Sequence, residues 1–205
     1  MGYIAIIDYG AGNLMSVHNT LDYLGYDNRI ASTPETIRQA AGVVLPGVGA
    51  FPDAMQALEH SGLIEAVLEA ARQKPFLGIC LGMQLLFDES DEVRPTKGLG
   101  LLPGRIERIR TSLKLPQIGW NALHIERANA LTQGVQEGDY VYFVHSFAAC
   151  PARAEDLSCT TDYGIQVPAM VARDNLFGCQ FHPEKSGPVG LTMIKNFAKL
   201  TEVKV

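Results

Sequence analysis

A cysteine framed by glycines, Gly78-Ile79-Cys80-Leu81-Gly82, follows a short apolar run and opens onto Met83-Gln84-Leu85-Leu86-Phe87. A nucleophile in this setting sits on a sharp strand-to-helix turn. The glycines keep Cβ atoms out of the bend, and the side chain is lifted above the sheet edge. The thiolate is the reactive form of cysteine, and the positive end of a helix dipole favours it. The backbone N–H of Leu81 then points where the oxyanion of a tetrahedral intermediate forms. The same five residues also describe a buried structural cysteine beside glycines kept only for packing, so alone they do not decide.

A second constellation weighs on that choice. Phe181-His182-Pro183-Glu184 follows the apolar strand Leu176–Gln180 and so leaves a sheet at its end. A thiolate mechanism needs a base beside the sulfur and an acceptor that holds the imidazole in the right tautomer. His182 and Glu184 supply both, because residues two apart on an extended segment point the same way. A third segment, Pro46-Gly47-Val48-Gly49, has too few glycines and no lysine for a phosphate loop. It is either a plain strand-to-helix turn or, beside Cys80, the source of a second oxyanion N–H from Val48.

The elements that must position these groups follow from periodicity. Tyr3–Asp8, Asp27–Ala31, Val43–Leu45 and Pro75–Ile79 read as strands, and Asp8-Tyr9-Gly10-Ala11-Gly12-Asn13 leads into a helix ending near Gly25. Ser32-Thr33-Pro34-Glu35 has the spacing of a capping box with an early proline. Pro52–Gln73 reads as helix with a break near Ser61-Gly62, and Met83–Phe87 as an amphipathic helical run. Strands alternating with helices imply a parallel sheet covered on both faces, with functional groups at the carboxyl ends of its strands. The second half is more antiparallel: Gly104–Arg110, Ala122–Ile125, Tyr140–Phe143, Ser158–Thr161 and Ala169–Gln180, the last a hairpin turning at Asp174-Asn175. Gly190–Leu200 reads as a closing helix. The expectation is one α/β domain over residues 1–205, with a mostly parallel central sheet and an additional antiparallel segment.

Bulk properties remove several classes of function. The chain has 205 residues, with 17 Lys and Arg against 22 Asp and Glu, a net charge of −5. A mildly acidic chain with no Lys/Arg cluster lacks the footprint of a nucleic-acid binder. No apolar run approaches the roughly 20 residues that span a bilayer. Met1–Asp8 reads as a buried strand and not as a signal peptide. Cys80, Cys150, Cys159 and Cys179 form no C-x-x-C pair, and the five histidines are scattered. Neither disulfide staples, a structural zinc nor any cofactor is expected, and the setting expected is the cytoplasm. Cys150, Cys159 and Cys179 read as small apolar fillers, and His18, His60 and His124 as structural or solvent-facing.

These motifs resemble the class I glutamine amidotransferases, whose triad is Cys, His and Glu in this order with His-x-Glu spacing. Within that class the chain is most similar to glutaminase subunits of imidazole glycerol phosphate synthase, from histidine biosynthesis. Pro46–Phe51, Gly98-Leu99-Gly100, Ile118–Asn121, Tyr142–Phe147 and Gln180–Ser186 carry the likeness, together with Asp8–Asn13 and Gly78–Phe87. The resemblance implies that Cys80, with His182 and Glu184, hydrolyses glutamine through a glutamyl thioester. It places Gly49, Gln84, Glu92, Ser146 and Phe147 around the substrate. Glu92 faces the ammonium, although Asp88-Glu89-Ser90-Asp91-Glu92 offers several carboxylates and such a run is commonly a solvated helix end. The implied partner is a (β/α)₈ barrel cyclase that receives the ammonia, with Asn13, Trp120, Tyr142 and Lys185 at its interface. A core position is the alternative for Trp120, with the interface preferred, and Tyr142 and His145 equally fit packing positions. Phe147 stands where tyrosine is frequent, and Cys179 where an aliphatic residue is usual. A glutaminase for another pathway, a stand-alone γ-glutamyl cysteine hydrolase and a non-enzymatic module remain as alternatives.

Overall fold

The computed structural model describes residues 2–201. In chain order its elements are β1 (Ile4–Ile7), α1 (Leu14–Tyr23), β2 (Asn28–Ala31), α2 (Pro34–Gln39), β3 (Gly42–Gly47), α3 (Phe51–His60), α4 (Ile64–Gln73) and β4 (Phe76–Cys80). Then come α5 (Leu81–Gln84), β5 (Phe87–Ser90), β6 (Thr96–Lys97), β7 (Leu102–Arg108), β8 (Gln117–Ala122), β9 (His124–Ile125), β10 (Tyr140–His145) and β11 (Phe147–Pro151). The chain closes with β12 (Leu157–Asp162), β13 (Gln166–Arg173), β14 (Leu176–Cys179) and α6 (Gly187–Leu200).

The main sheet runs β2-β1-β3-β4-β14-β13-β12-β9. Its first five strands are parallel, and the remaining three pair antiparallel. Strands β1, β3, β4 and β14 are nearly pure apolar runs because both faces are covered. Their period of two sorts side chains between two cores. Ala5 and Ile7 join the core under α2, α3 and α4, whereas Ile4 and Ile6 join the one under α1 and α6. A four-stranded sheet, β11-β7-β5-β6, and a two-stranded ribbon, β10-β8, complete the fold. No helix among the described residues is long and apolar enough to cross a membrane.

The mixed α/β architecture agrees with the sequence reading, and so does the hairpin, with Arg173 paired to Leu176 and Asp174 at φ 51. Several local expectations do not hold. Thr33, not Ser32, caps α2: its side chain accepts from Thr36 N at 3.4 Å, and Pro34 takes the first helical position. Strand β3 extends through Pro46 and Gly47, so the turn proper begins at Val48. The helix after Cys80 is a single turn. Leu85, Leu86 and Phe87 are all fully buried, so the run has no polar face to give to solvent. Their carbonyls instead accept N–H groups from Leu99 (2.8 Å), Leu101 (2.9 Å) and Gly100 (3.1 Å). Gly98 packs so tightly beneath Phe87 that a Cβ there would overlap its carbonyl. The acidic run 88–92 is accordingly a strand and its exit, not a helix end. Sequence reading also passed over β11 and most of β8, where Gly119 and Pro151 weaken the strand signal. Cys159 and Cys179 are buried fillers as expected, but Cys150 is exposed.

Candidate active site

Parallel pairing brings the carboxyl ends of β1, β3, β4 and β14 to one edge of the sheet. Cys80 ends β4 with φ 54 and ψ −113, a left-handed conformation unfavourable for a residue with a Cβ. Such strain costs on the order of 1–3 kcal/mol and persists only where the surroundings impose it. Here close packing imposes it. A Cβ on Gly78 would lie 2.7 Å from the Gly82 carbonyl and 2.8 Å from Met83 Cα, and one on Gly82 would overlap the Leu45 carbonyl. The elbow therefore exists because α5 is pressed directly onto β3 and β4. With α5 only one turn long, the support expected from a helix dipole reduces to the first free N–H groups.

His182 approaches from the end of β14. Its Nδ1 lies 2.8 Å from Glu184 Oε1, and both side chains are almost wholly buried. The two do not share a straight extended segment: Pro183–Lys185 forms a 3-10 turn, which swings Glu184 back under the ring. The backbone of this turn is fixed to β10, with His182 N donating to Tyr142 O (2.9 Å) and Ser186 Oγ to His182 O (2.6 Å). Ser186 Oγ also accepts from Tyr142 N at 3.0 Å. His182 Nε2 is buried without a hydrogen-bond partner, so no aligned bond joins it to the sulfur in this geometry. Burial pushes the imidazole down, but Cys80 and Glu184 together outweigh this and raise it to about 9.

Cys80 and His182 open into a cleft of about 340 Å³ that is also lined by Val48, Gly49, Leu81, Gln84, Glu92, Pro116, Val144, His145, Ser146 and Phe147. Every residue expected around the substrate is therefore in one place, as are both expected oxyanion donors. Gln84 donates from Nε2 to Phe147 O and to Gln180 Oε1, each at 3.0 Å. Only its carbonyl oxygen is left for a ligand. Glu92 Oε2 accepts from Phe51 N at 2.8 Å. Burial raises its pKa, the Phe51 N–H opposes this, and Asp53 adds to the rise. A cationic ligand group would relieve that burden. The buried Tyr9 Oη donates to Pro46 O at 3.1 Å. Burial, then the nearby Cys80, pushes its phenol up.

Asn13, Trp120, Tyr142 and Lys185 lie outside the cleft. Trp120 is half exposed and not a core residue; it stands opposite Tyr142 across the ribbon, edge to face with centroids 6.0 Å apart. Lys185 is exposed on the turn after His182, and α1, which Asn13 precedes, packs against that turn. Sequence reasoning missed Gln180, whose Nε2 reaches Cys80 Sγ at 3.8 Å. A glutamine in an otherwise apolar buried strand was the available signal. A larger cleft of about 470 Å³ lies at the opposite end of the sheet, lined by Arg127, Arg153 and Arg173 among others. Arg173 is already tied to the buried Asp156, and no Cys, Ser, Thr, Lys or His lines that cleft. No group of three or more His, Cys, Asp or Glu residues that could hold a metal occurs among the described residues.

A strained cysteine elbow facing a His–Glu pair across an open α/β sheet edge is the arrangement of an acyl-transfer site, and residues 5–200 match the family model of glutamine amidotransferase class-I. The chain belongs to that family. Solved relatives share its fold: a crystal structure of a glutamine amidotransferase superposes with a TM-score of 0.77 at 16% identity, covering 98% of this chain and 100% of that one. PurLQS from Thermotoga maritima gives 0.75 at 18% identity, covering 97% and 99%. Sequence relatives are more specific. The chain is 50% identical over 202 residues to the imidazole glycerol phosphate synthase subunit HisH of Bacillus cereus (strain G9842), covering 97% of this chain and 95% of the relative. It is also 50% identical over 197 residues to the HisH subunit of Desulfitobacterium hafniense (strain DSM 10664 / DCB-2), covering 96% and 93%.

Proposed function

We propose that this chain is the glutaminase subunit of an imidazole glycerol phosphate synthase, working in the cytoplasm and hydrolysing glutamine to supply ammonia for histidine biosynthesis. The observation that carries the chemistry is the meeting of Cys80 with the His182–Glu184 pair in a cleft at the strand ends. Cys80 passes its proton to His182 as its sulfur attacks the side-chain carboxamide carbon of glutamine, and the oxyanion is received by the N–H groups of Leu81 and Val48. His182, whose imidazole Cys80 and Glu184 raise to about 9, gives that proton to the departing nitrogen. The C–N bond breaks, ammonia leaves and a glutamyl thioester remains. The now neutral imidazole takes a proton from water, which attacks the thioester and releases glutamate. Glu184 holds Nδ1–H and offsets the ring's charge. Glu92 receives the substrate ammonium, and Gly49, Gln84, Ser146 and Phe147 enclose its amino-acid end.

The partner is a (β/α)₈ barrel cyclase docked on the face that carries Trp120, Tyr142, Lys185 and Asn13. Ile118, Trp120, Tyr140 and Val144 expose apolar surface on the ribbon, the kind of patch that marks an association site. Glutamate release should be measured for the chain alone and then mixed with the cyclase and its nucleotide ligand. The activity is expected to rise strongly in the mixture. Cys80→Ala should abolish glutamine-dependent product formation yet leave the cyclase active on ammonium salts. Full activity without the barrel, unchanged on mixing, would favour a stand-alone hydrolase instead.

A further inference from the structure

Strand β14 lies beside β4 with Cys179 opposite Ile79. One residue further on, where both strands end, Gln180 comes beside Cys80. Gln180 is fully buried, and so are its neighbours Cys179 and Phe181. A primary amide in such a run must find partners for its polar atoms, or its burial costs the fold free energy. Those partners also fix which way it points. Gln84 Nε2 donates to the Phe147 carbonyl at 3.0 Å, and a carbonyl only accepts, so the amino group of Gln84 stands on that side. The same nitrogen donates to Gln180 Oε1, also at 3.0 Å. The oxygen of Gln180 is thereby turned to Gln84 and its amino group to Cys80 Sγ, 3.8 Å away. A hydrogen-bonded chain of one sense links the Phe147 carbonyl, two buried amides and the sulfur.

We propose that Gln180 is a catalytic residue of this site, its amide N–H holding the Cys80 sulfur at each stage in which that sulfur carries negative charge. The proposal rests on the glutaminase reading above. The sulfur gains charge twice: as Cys80 loses its proton and attacks, and as water cleaves the glutamyl thioester and the sulfur departs. Between those stages it is a neutral thioester. A hydrogen bond to an ionised acceptor is about twice as strong as one between neutral groups. The amide therefore contributes most at those two moments and little to the resting thiol or the thioester, which is the differential binding that speeds a step. An amide also neither gives nor takes a proton, so it leaves the proton traffic to His182. Hydrogen bonds in a chain strengthen one another. A ligand that donates to the remaining oxygen of Gln84 thus strengthens the bond at the sulfur.

Gln180→Met replaces the amide by a side chain of similar length with no donor. In the complex with the cyclase and its ligand, kcat for glutamate release should fall roughly tenfold or more, with KM for glutamine little changed. Alkylation of Cys80 by iodoacetamide distinguishes this from a packing role. It is followed on the full-length chain at the Cys80 peptide by mass spectrometry, because Cys150 is exposed and reacts too. The rate rises with pH as the sulfur ionises. In Gln180→Met that rise should come about one pH unit higher, the equivalent of a tenfold loss of thiolate. Gln84→Met leaves β14 untouched and breaks the chain at its other link. It should raise KM and move the alkylation profile in the same direction, by less. If Gln180→Met does not fold, the Gln84→Met profile decides alone. Profiles that stay at the wild-type position, with KM alone raised, would mean that Gln180 only props Gln84 and would overturn the proposal. Alkylation needs no glutamine, so a wild-type complex that releases no glutamate would instead remove the glutaminase reading itself.

Discussion

His182 carries opposing influences whose balance is testable. Its ring is buried, which disfavours charge, yet Cys80 and Glu184 hold it at about 9. Glu184→Gln keeps an acceptor for Nδ1 but removes the negative charge, so the imidazolium should lose its proton at lower pH. The alkaline limb of kcat/KM is therefore expected near pH 9 in the wild type and lower in the variant, with kcat reduced roughly 10²- to 10⁴-fold. An unmoved limb would show that Glu184 only orients the ring. The same balance bears on stability. A histidine whose folded pKa lies above its unfolded value, about 6.5, stabilises the fold fully below that value, and the contribution is lost as pH rises through about 9. His145 has the opposite sign. Burial pulls its folded pKa down to about 4, so the unfolded chain binds the proton first and stability is lost as pH falls from about 6.5 towards 4. Denaturant midpoints measured over that interval should fall less steeply in His145→Leu than in the wild type. That Cys80 and the His182–Glu184 pair meet at one strand edge was legible in the sequence, because the chemistry proposed for them constrains both residue type and spacing. Gln180 was not, because its role arises only when β14 lies beside β4.

At the scale of elements, the strand-to-helix turn is held by contact between backbones. Gly82 belongs to α5 but packs against Leu45 on β3, with no room for a methyl group between them. Gly82→Ala should therefore move the turn as a body: we expect destabilisation of about 1–3 kcal/mol with loss of glutaminase activity, read by urea titration and glutamate release. A fully active, equally stable variant would show that the turn tolerates displacement. The glycines were visible in sequence, but the length of the helix after them was not. Met83–Phe87 had a helical reading because Met83, Gln84, Leu85 and Leu86 are good helix formers, and only the N–H groups supplied by residues 99–101 end the helix after one turn. Similarly, the alternating strands of the first half were readable from their apolar runs. Of the ribbon, β10 was readable as Tyr140–Phe143, but most of β8 was not, since it contains glycine and presents Ile118 and Trp120 to solvent.

For the whole molecule, the ribbon is the element with two audiences. Val141, Phe143 and His145 face the core, while Tyr140, Tyr142 and Val144 face out. The main chain of Tyr142 also anchors the His182 turn, so the outer surface and the His182–Glu184 pair share one strand. Large aromatics at the centre of an interface dominate its energy. Trp120→Ala is thus expected to weaken docking by about 2 kcal/mol or more, roughly thirtyfold in Kd, measured by titration calorimetry against the cyclase. An unchanged Kd would move the interface elsewhere. The identity of Trp120 has one further consequence, and it is optical. It is the sole tryptophan of the chain, and about half of it is exposed on this surface. The indole emission of the free subunit thus comes from this one surface, and covering that surface should shift the emission to shorter wavelength and shield it from collisional quenchers. The subunit carries its own dye at the place where association would be seen.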